Sequence, residues 1–261
     1  MIPVDRDGAG YIEISGRSLH VRRIQPEYGG APLIFLHEGL GSIELWRDFA
    51  DDVVAASGHP GIVYSRHGNG WSTQLDGPRG PDYMHEEALD FLPSIVESLA
   101  GRPPILVGHS DGASIALIYA GAGHAVAGLV LIAPHVFVEE ETIRSIAAIR
   151  DEFESSNMAA KMAKYHSEPE TTFRAWADVW LSPGFRDWNI EEYVKGIRCP
   201  VLLIQGDEDQ YGTLSQLDAI DAQLAEPAER LVVEGAGHSP HLSHQRVAAD
   251  HIVRFLARVG S

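Results

Sequence analysis

The stretch Ile105-Leu106-Val107-Gly108-His109-Ser110-Asp111-Gly112 joins one apolar run to another, which begins at Ala113. The first run predicts a buried strand and the second a helix, with a turn at Ser110 between them. Glycines on both sides of the serine suit a tight turn that has no room for a Cβ atom. Gly-x-Ser-x-Gly between a strand and a helix is typical of a nucleophilic serine, held at the top of a sheet beside the unpaired N–H groups of a helix N-terminus.

Apolar runs of strand length recur along the chain, and stretches with the composition of helices separate them. A hairpin with one solvated face is predicted for residues 11–24, because apolar and polar residues alternate there around a Ser-Gly-Arg turn. Helices are predicted over 43–57, 83–99 and 247–259. Buried strands are predicted at 32–37, 61–65, 105–109, 128–134, 200–206 and 230–234. This alternation predicts an α/β fold with a mostly parallel sheet that is covered by helices on both faces.

The pattern changes over residues 136–196, where no convincing buried strand occurs. This stretch is rich in helix formers and charges, and it holds three of the five tryptophans, Trp176, Trp180 and Trp188. The sequence therefore predicts a core domain made of residues 1–135 and 197–261, with a helical insertion at 136–196. Trp176 and Trp180 are four residues apart and share a helix face. They either pack the insertion onto the core or form the wall of an apolar pocket, and the two roles are compatible.

Composition excludes several classes of protein. The 261-residue chain carries a net charge of −17, which argues against nucleic acid and against an anionic membrane surface as partners. The single cysteine, Cys199, excludes an internal disulfide framework and is expected to be a small buried apolar residue. No apolar run is long enough to cross a bilayer, and residues 1–10 lack the features of a signal peptide. The expectation is a soluble cytoplasmic protein.

Serine hydroxyls are poor nucleophiles at neutral pH and need a base, usually a histidine that a carboxylate orients. Candidates follow two predicted strands: the acidic run at 207–209, with Asp207 and Asp209, and His238 after the next strand. The carboxyl ends of parallel strands meet at one edge of a sheet, so these side chains are expected beside Ser110. His241 lies three residues after His238, but no metal-binding signature accompanies it. It is expected at the surface or facing the insertion, and no metal is expected.

These motifs together resemble the α/β-hydrolase superfamily, and the resemblance covers almost the whole chain. The matching segments are the loop 37–42, the glycine-containing segment 66–72, the turn at Ser110, and the segments 206–209 and 235–238. The resemblance implies an eight-stranded, mostly parallel sheet with a helical lid between strands six and seven, and residues 136–196 fit that lid. It carries little information about the substrate, because this fold hosts many reactions.

Position by position, the resemblance implies a Ser-His-Asp triad. Ser110 would be the nucleophile, His238 the general base and Asp209 the orienting acid, with Asp207 as the most serious competitor for that last role. Backbone N–H groups of Asp111 and Gly39 would form the oxyanion hole, with Leu40 as the alternative to Gly39. Residues expected at the substrate pocket are Glu38, Leu40, His135, Trp176 and Trp180.

Two positions depart from the usual pattern of the superfamily. Glu38 stands where many members have glycine, and Asp111 follows the serine where Met, Gln or Leu is common. Their carboxylates either point away from the pocket, pair with a group such as Arg66 or His67, or lie in the pocket, where they would disfavour an anionic substrate or shape water access. The serine at the apex of the turn argues against dehalogenases and epoxide hydrolases of this fold, which use aspartate there.

The implied activity is that of a serine hydrolase, which cleaves a small or medium ester or related acyl substrate through an acyl-enzyme, without a cofactor or metal. A hydrolase of C–C bonds in aromatic catabolism, an enol-lactonase and a thioesterase would use the same triad. A cofactor-independent oxygenase is a more remote alternative. From a different class, a non-hydrolysing small-molecule receptor on this fold remains open. The partner is expected to be a small-molecule substrate, and the sequence leaves the oligomeric state open.

Overall fold

The computed structural model describes residues 8–24 and 29–259. The prediction that residues 1–10 lack the features of a signal peptide concerns residues 1–7, which lie outside the described residues. The described residues form one eight-stranded sheet with the order β1-β2-β4-β3-β5-β6-β7-β8. Its strands are β1 (Ala9–Ile14), β2 (Arg17–Ile24), β3 (Leu33–Leu36), β4 (Gly61–Tyr64), β5 (Ile105–His109), β6 (Gly128–Ile132), β7 (Val201–Gly206) and β8 (Glu229–Val233).

The pairing confirms the predicted hairpin and the mostly parallel sheet. β1 and β2 are antiparallel, β2 pairs antiparallel with β4, and all other neighbours run parallel. β3 lies between β4 and β5, with Leu33 opposite Gly61 on one side and Ile105 on the other. The carboxyl ends of β3, β5, β6, β7 and β8 therefore meet at one edge, where the candidate residues of the sequence follow the strands.

Helices cover both faces of this sheet. They are α1 (Phe49–Ser57), α2 (Tyr83–Glu86), α3 (Leu92–Leu99), α4 (Asp111–Gly121), α5 (Glu140–Ser155), α6 (Met158–Met162), α7 (Pro169–Trp180), α8 (Glu191–Val194), α9 (Ser215–Gln223), α10 (Pro240–Ser243) and α11 (Gln245–Val259). On β3, Leu33 and Phe35 pack into the core formed with α1 and α11, whereas Ile34 and Leu36 pack into the core formed with α4. A strand that is buried on both faces has to be apolar throughout, which explains its continuous apolar run.

Two predicted helices are interrupted in the structure. The stretch 43–57 divides into a 3₁₀ turn (Ile43–Trp46) and α1, because Arg47 adopts a left-handed φ of 51°. The stretch 83–99 contains a widened π turn (Glu87–Phe91) between α2 and α3. Pro93 stands at the start of α3. Since proline has no N–H to continue the helical ladder, the backbone hydrogen bonds must change at this point.

The segment between β6 and β7 is helical and contains α5, α6, α7 and α8. Backbone contacts join the beginning of this segment to residues near its end. Phe137 and Asn189 form an isolated antiparallel bridge, and the Ile190 N–H donates to the Val136 carbonyl at 2.8 Å. We call residues 136–196 the insertion. Across the described part of the chain, no helix combines the length and the apolar character that crossing a bilayer requires.

Candidate active site

Ser110 forms the turn between β5 and α4, and its backbone is strained. Its φ is 54° and its ψ is −120°. For a residue other than glycine, this backbone conformation is unfavourable by about 1–3 kcal/mol. A Cβ atom on Gly108 would lie 2.4 Å from the Gly112 carbonyl oxygen, and one on Gly112 would lie 2.0 Å from that of Leu36. Both glycines are therefore required, and the tight packing holds the strained serine in place.

The side chains of Ser110, His238 and Asp209 lie in a hydrogen-bonded row. The Nε2 atom of His238 is 2.9 Å from the Ser110 Oγ, and its Nδ1 is 2.9 Å from each Asp209 carboxylate oxygen. A carboxylate only accepts, so Nδ1 carries the hydrogen and Nε2 is free to accept the serine proton. Burial alone would raise the pKa of Asp209, but the hydrogen bond and charge of His238 outweigh it and the pKa is lowered. Asp209 is thus held as a carboxylate.

The structure distinguishes between the acidic candidates at 207–209. Asp209 faces His238 and also accepts a hydrogen bond from the Tyr211 N–H at 2.8 Å. Asp207 is exposed and accepts from the Gly235 N–H at 2.7 Å, which stabilises the turn after β8. Glu208 is exposed as well. Only Asp209 of the three is therefore placed to orient the imidazole.

The loop 38–41 after β3 faces Ser110, and side chains hold all four of its carbonyl oxygens. Asn69 Nδ2 donates to the Gly39 and Gly41 carbonyls at 3.0 and 3.1 Å. His166 from the insertion donates from Nε2 to the Leu40 carbonyl at 2.9 Å, while its Nδ1 accepts from the Gly70 N–H at 2.9 Å. These contacts fix the direction of each peptide in the loop.

The Glu38 carbonyl receives three hydrogen bonds, from His37 Nδ1 at 2.6 Å, from Arg66 Nη2 at 2.8 Å and from the Gly41 N–H at 3.0 Å. The His37 tautomer follows from its other nitrogen, which accepts the Arg66 backbone N–H at 2.9 Å. By contrast, the backbone N–H groups of Gly39, Leu40 and Asp111 have no hydrogen-bond partner within residues 8–24 and 29–259. They are available to bind a negatively charged oxygen.

Gly39 is also in close contact with the insertion. A Cβ atom at this position would lie 2.2 Å from Cδ1 of Trp176, far inside van der Waals contact. The absence of a side chain thus lets the indole of Trp176 lie directly on the loop. Trp176 and Trp180, which share a face of α7 as predicted, both reach the space above Ser110.

A cavity of about 170 Å³ opens above Ser110. All five residues expected at a pocket line it: Glu38, Leu40, His135, Trp176 and Trp180. Sequence reasoning missed three further wall residues, Thr142, Ile146 and Tyr211. Thr142 and Ile146 are four residues apart on α5 and therefore share one helix face. The spacing of residues along this helix could have indicated that both line the pocket. Burial lowers the pKa of His135 to about 3, so this wall residue is neutral at pH 7.

The two unusual carboxylates have different surroundings. Asp111 is buried, accepts the Tyr83 hydroxyl at 2.6 Å, and lies 3.8 Å from Arg66 Nη2. Glu38 lines the cavity with its Oε2 atom 3.4 Å from His109 Nδ1. Burial would raise the pKa of Glu38, but the neighbouring His109 outweighs it and holds this pKa well below its usual range. Asp111 therefore pairs with Arg66, one of the partners that the sequence left open, and Glu38 adds a carboxylate to the cavity wall.

The prediction that His241 lies at the surface or faces the insertion is wrong. His241 is buried beneath the site, with its ring centroid 5.3 Å from Trp46, 5.1 Å from Phe49 and 4.5 Å from His109. Burial lowers its pKa well below the usual value, so it packs as a neutral ring. In the part of the chain that the structure describes, no group of three or more His, Cys, Asp or Glu side chains is arranged to hold a metal ion.

Comparison with known proteins agrees with this fold. The non-heme chloroperoxidase CPO-A1 of Kitasatospora aureofaciens is 25% identical over 241 residues, which are 80% of this chain and 85% of that protein. The structure of a thermophilic esterase from Thermogutta terrifontis superposes with a TM-score of 0.74 at 18% identity, covering 97% of this chain and 99% of the esterase. A proline iminopeptidase from Mycobacterium smegmatis gives 0.72 at 18% identity, over 96% and 98% of the two chains.

A sequence model of the alpha/beta hydrolase family matches residues 33–250, which span the sheet from β3 onward, the turn at Ser110 and the insertion. The match covers most of the chain. The protein therefore belongs to the alpha/beta hydrolase family.

Proposed function

We propose that the protein is a serine hydrolase that cleaves a small ester or related acyl substrate through an acyl-enzyme. The observation that carries this proposal is the row of hydrogen bonds at 2.9 Å from Ser110 Oγ through His238 to Asp209. This is the arrangement in which an imidazole can take the proton of a serine hydroxyl, while a carboxylate holds the ring and stabilises the imidazolium.

In the proposed reaction, Ser110 Oγ attacks the substrate carbonyl carbon and passes its proton to His238 Nε2. The carbonyl electron pair moves to the oxygen, which accepts hydrogen bonds from the N–H groups of Asp111 and Gly39. The tetrahedral intermediate then expels the alcohol, which takes the proton from His238, and the acyl group stays on Ser110. A water molecule that gives its proton to His238 attacks this ester, and the acid is released as Ser110 regains its proton.

The cavity restricts the acyl group that this site accepts. Its volume of about 170 Å³ is close to that of an engineered apolar cavity of about 150 Å³ that binds benzene. The proposal is therefore an acyl group no larger than a single ring or a short chain. Thr142, Ile146, Trp176 and Trp180 belong to the insertion, so we propose that residues 136–196 act as the lid that separates this group from bulk water.

A fluorophosphonate probe tests the proposed nucleophile. Labelling of the folded protein is expected at Ser110, with loss of labelling in Ser110→Ala. Hydrolysis of 4-nitrophenyl esters is expected to be fastest for acetyl to butyryl chains and to fall steeply by decanoyl. No labelling and no turnover by folded wild-type protein would contradict the proposal and favour a receptor. Turnover of ring-fission dienones alone would identify a C–C hydrolase, and turnover of acyl-CoA alone a thioesterase.

A further inference from the structure

Arg66 is a buried cation beneath the loop 38–41, and its side chain is only 1% exposed. Its Nη2 atom lies 2.8 Å from the Glu38 carbonyl oxygen and 3.8 Å from Asp111 Oδ2. These two contacts reach both halves of the proposed oxyanion hole. The Glu38 carbonyl and the Gly39 N–H belong to one peptide unit, and Asp111 supplies the other N–H.

The first contact sets the direction of the Gly39 N–H. In a planar trans peptide the C=O and N–H bonds point in opposite directions, so a fixed carbonyl fixes the amide hydrogen. Donation from Arg66 and His37 to the Glu38 carbonyl holds this peptide with its N–H facing away from the arginine. A hydrogen bond from a cation is stronger than one from a neutral donor, and it polarises the peptide so that its N–H becomes a better donor.

The second contact neutralises a charge that would oppose the reaction. Asp111 is 1% exposed, and its carboxylate belongs to the residue whose N–H would bind the oxyanion. A buried carboxylate without a counter-charge next to a developing negative oxygen would raise the energy of the transition state, because the local dielectric is low. Arg66 compensates this charge, and the Tyr83 hydroxyl donates to the same carboxylate oxygen at 2.6 Å.

Stability alone does not account for this arginine. Its Nε and Nη1 atoms are buried and have no hydrogen-bond partner within the described residues, and neither does Asp111 Oδ1. Buried polar groups left unpaired are costly, and apolar residues of similar volume often replace a buried ion pair without loss of stability. The incomplete pairing indicates that Arg66 is retained for the site that it supports.

We propose that Arg66 is a positioning residue for acyl transfer, which rests on the proposed function. It touches no reacting atom: it orients the Gly39 N–H through the Glu38 carbonyl and balances the charge of Asp111. Its contribution therefore lies in the transition state, where the oxyanion forms, and not in ground-state binding of the substrate. Removing it should lower kcat and leave KM nearly unchanged.

The test compares wild type with Arg66→Met, Asp111→Asn and the double variant in steady-state hydrolysis of a short-chain 4-nitrophenyl ester. Loss of one oxyanion donor typically lowers kcat by about 10²–10³-fold, so Arg66→Met is expected to lose about 100-fold in kcat. Its KM should stay within about threefold, because the hydrogen bond from the Gly39 N–H to the oxyanion is made only in the transition state. Adding Asp111→Asn to Arg66→Met should restore about 10-fold, because the uncompensated carboxylate is removed, and such coupling is expected only for neighbouring groups.

Arg22→Met is the matched control, because Arg22 also pairs with a carboxylate, that of Asp51 at 2.8 Å, but neither residue lines the cavity above Ser110. This variant should keep wild-type kcat. If Arg66→Met does not fold, Arg66→Gln replaces it, because this neutral side chain also leaves Asp111 without a counter-charge, and Asp111→Asn is again expected to restore part of the lost kcat. Wild-type kcat in the Arg66 variants, a loss confined to KM, or equal kcat losses with and without Asp111→Asn would overturn the inference. Failure of the proposed function is a separate result: wild type itself would then neither turn over esters nor be labelled at Ser110.

Discussion

Replacing Asp209 by asparagine tests the core of the proposed mechanism. In the structure the Asp209 carboxylate accepts from His238 Nδ1 with both oxygens at 2.9 Å, and this fixes the tautomer in which Nε2 faces Ser110 as an acceptor. An asparagine NH₂ group turned toward Nδ1 would donate instead and would stabilise the other tautomer. The Nε2 atom would then carry a hydrogen and could not take the serine proton.

The expected size of the effect follows from this change of tautomer. The corresponding substitution in a serine protease triad lowers kcat by about 10⁴-fold, which is about 5.4 kcal/mol at 1.36 kcal/mol per decade. We expect a similar loss in kcat/KM for Asp209→Asn. Asparagine has nearly the same volume as aspartate, and the Tyr211 N–H can still donate to its side-chain oxygen. The fold and the cavity should therefore be retained.

Asp207→Asn is the matched control, because it makes the same chemical change two residues away. Asp207 is exposed, and an asparagine oxygen there can still accept the Gly235 N–H. Its effect on kcat/KM is expected to stay within about twofold, as for most surface substitutions. The assay is steady-state hydrolysis of 4-nitrophenyl acetate by both variants, with circular dichroism to verify folding. Equal losses in the two variants, or a larger loss for Asp207→Asn, would refute the assignment of Asp209.

Two further predictions concern the loop and a buried imidazole. Gly39→Ala places a Cβ atom 2.2 Å from the Trp176 indole, so the loop 38–41 must shift, and kcat/KM should fall by about 10²-fold. Gly80→Ala is the control: a Cβ atom there has no neighbour within 4 Å, and kcat/KM should stay unchanged. An unchanged rate for Gly39→Ala would show that the loop tolerates the shift. Burial lowers the pKa of His135 to about 3, so on acidification this imidazole is protonated at a higher pH in the unfolded chain than in the folded protein. The free energy of unfolding therefore decreases as the pH falls from about 6.5 toward 3. His135→Gln should reduce the difference in unfolding free energy between pH 7 and pH 5 by about 2 kcal/mol in urea titrations, and an unchanged difference would contradict this account.

Local patterns were sufficient to predict the strands and the serine turn. β3 and β5 are apolar throughout because both faces of the sheet are covered, and the glycines around Ser110 are required by contacts of 2.0–2.4 Å. The same patterns predicted continuous helices over 43–57 and 83–99 and did not predict the interruptions in them. The left-handed φ of Arg47 depends on how the chain crosses from the 3₁₀ turn to α1. Arginine is not a residue type that predicts this conformation.

Hydrophobic periodicity and glycine spacing act over a few residues, so the sequence by itself determined the alternating elements, the order of the chemistry-bearing loops and a short set of candidate residues. Which candidates meet was decided by the tertiary structure: Asp209 instead of Asp207 beside His238, Arg66 beside Asp111, and His241 in the core. The contact between His238 and Ser110 joins residues 128 apart in the sequence, and that between His238 and Asp209 joins residues 29 apart. Distances of 3 Å between such distant segments depend on the twist of the whole sheet and the packing of its helices, which no local pattern specifies.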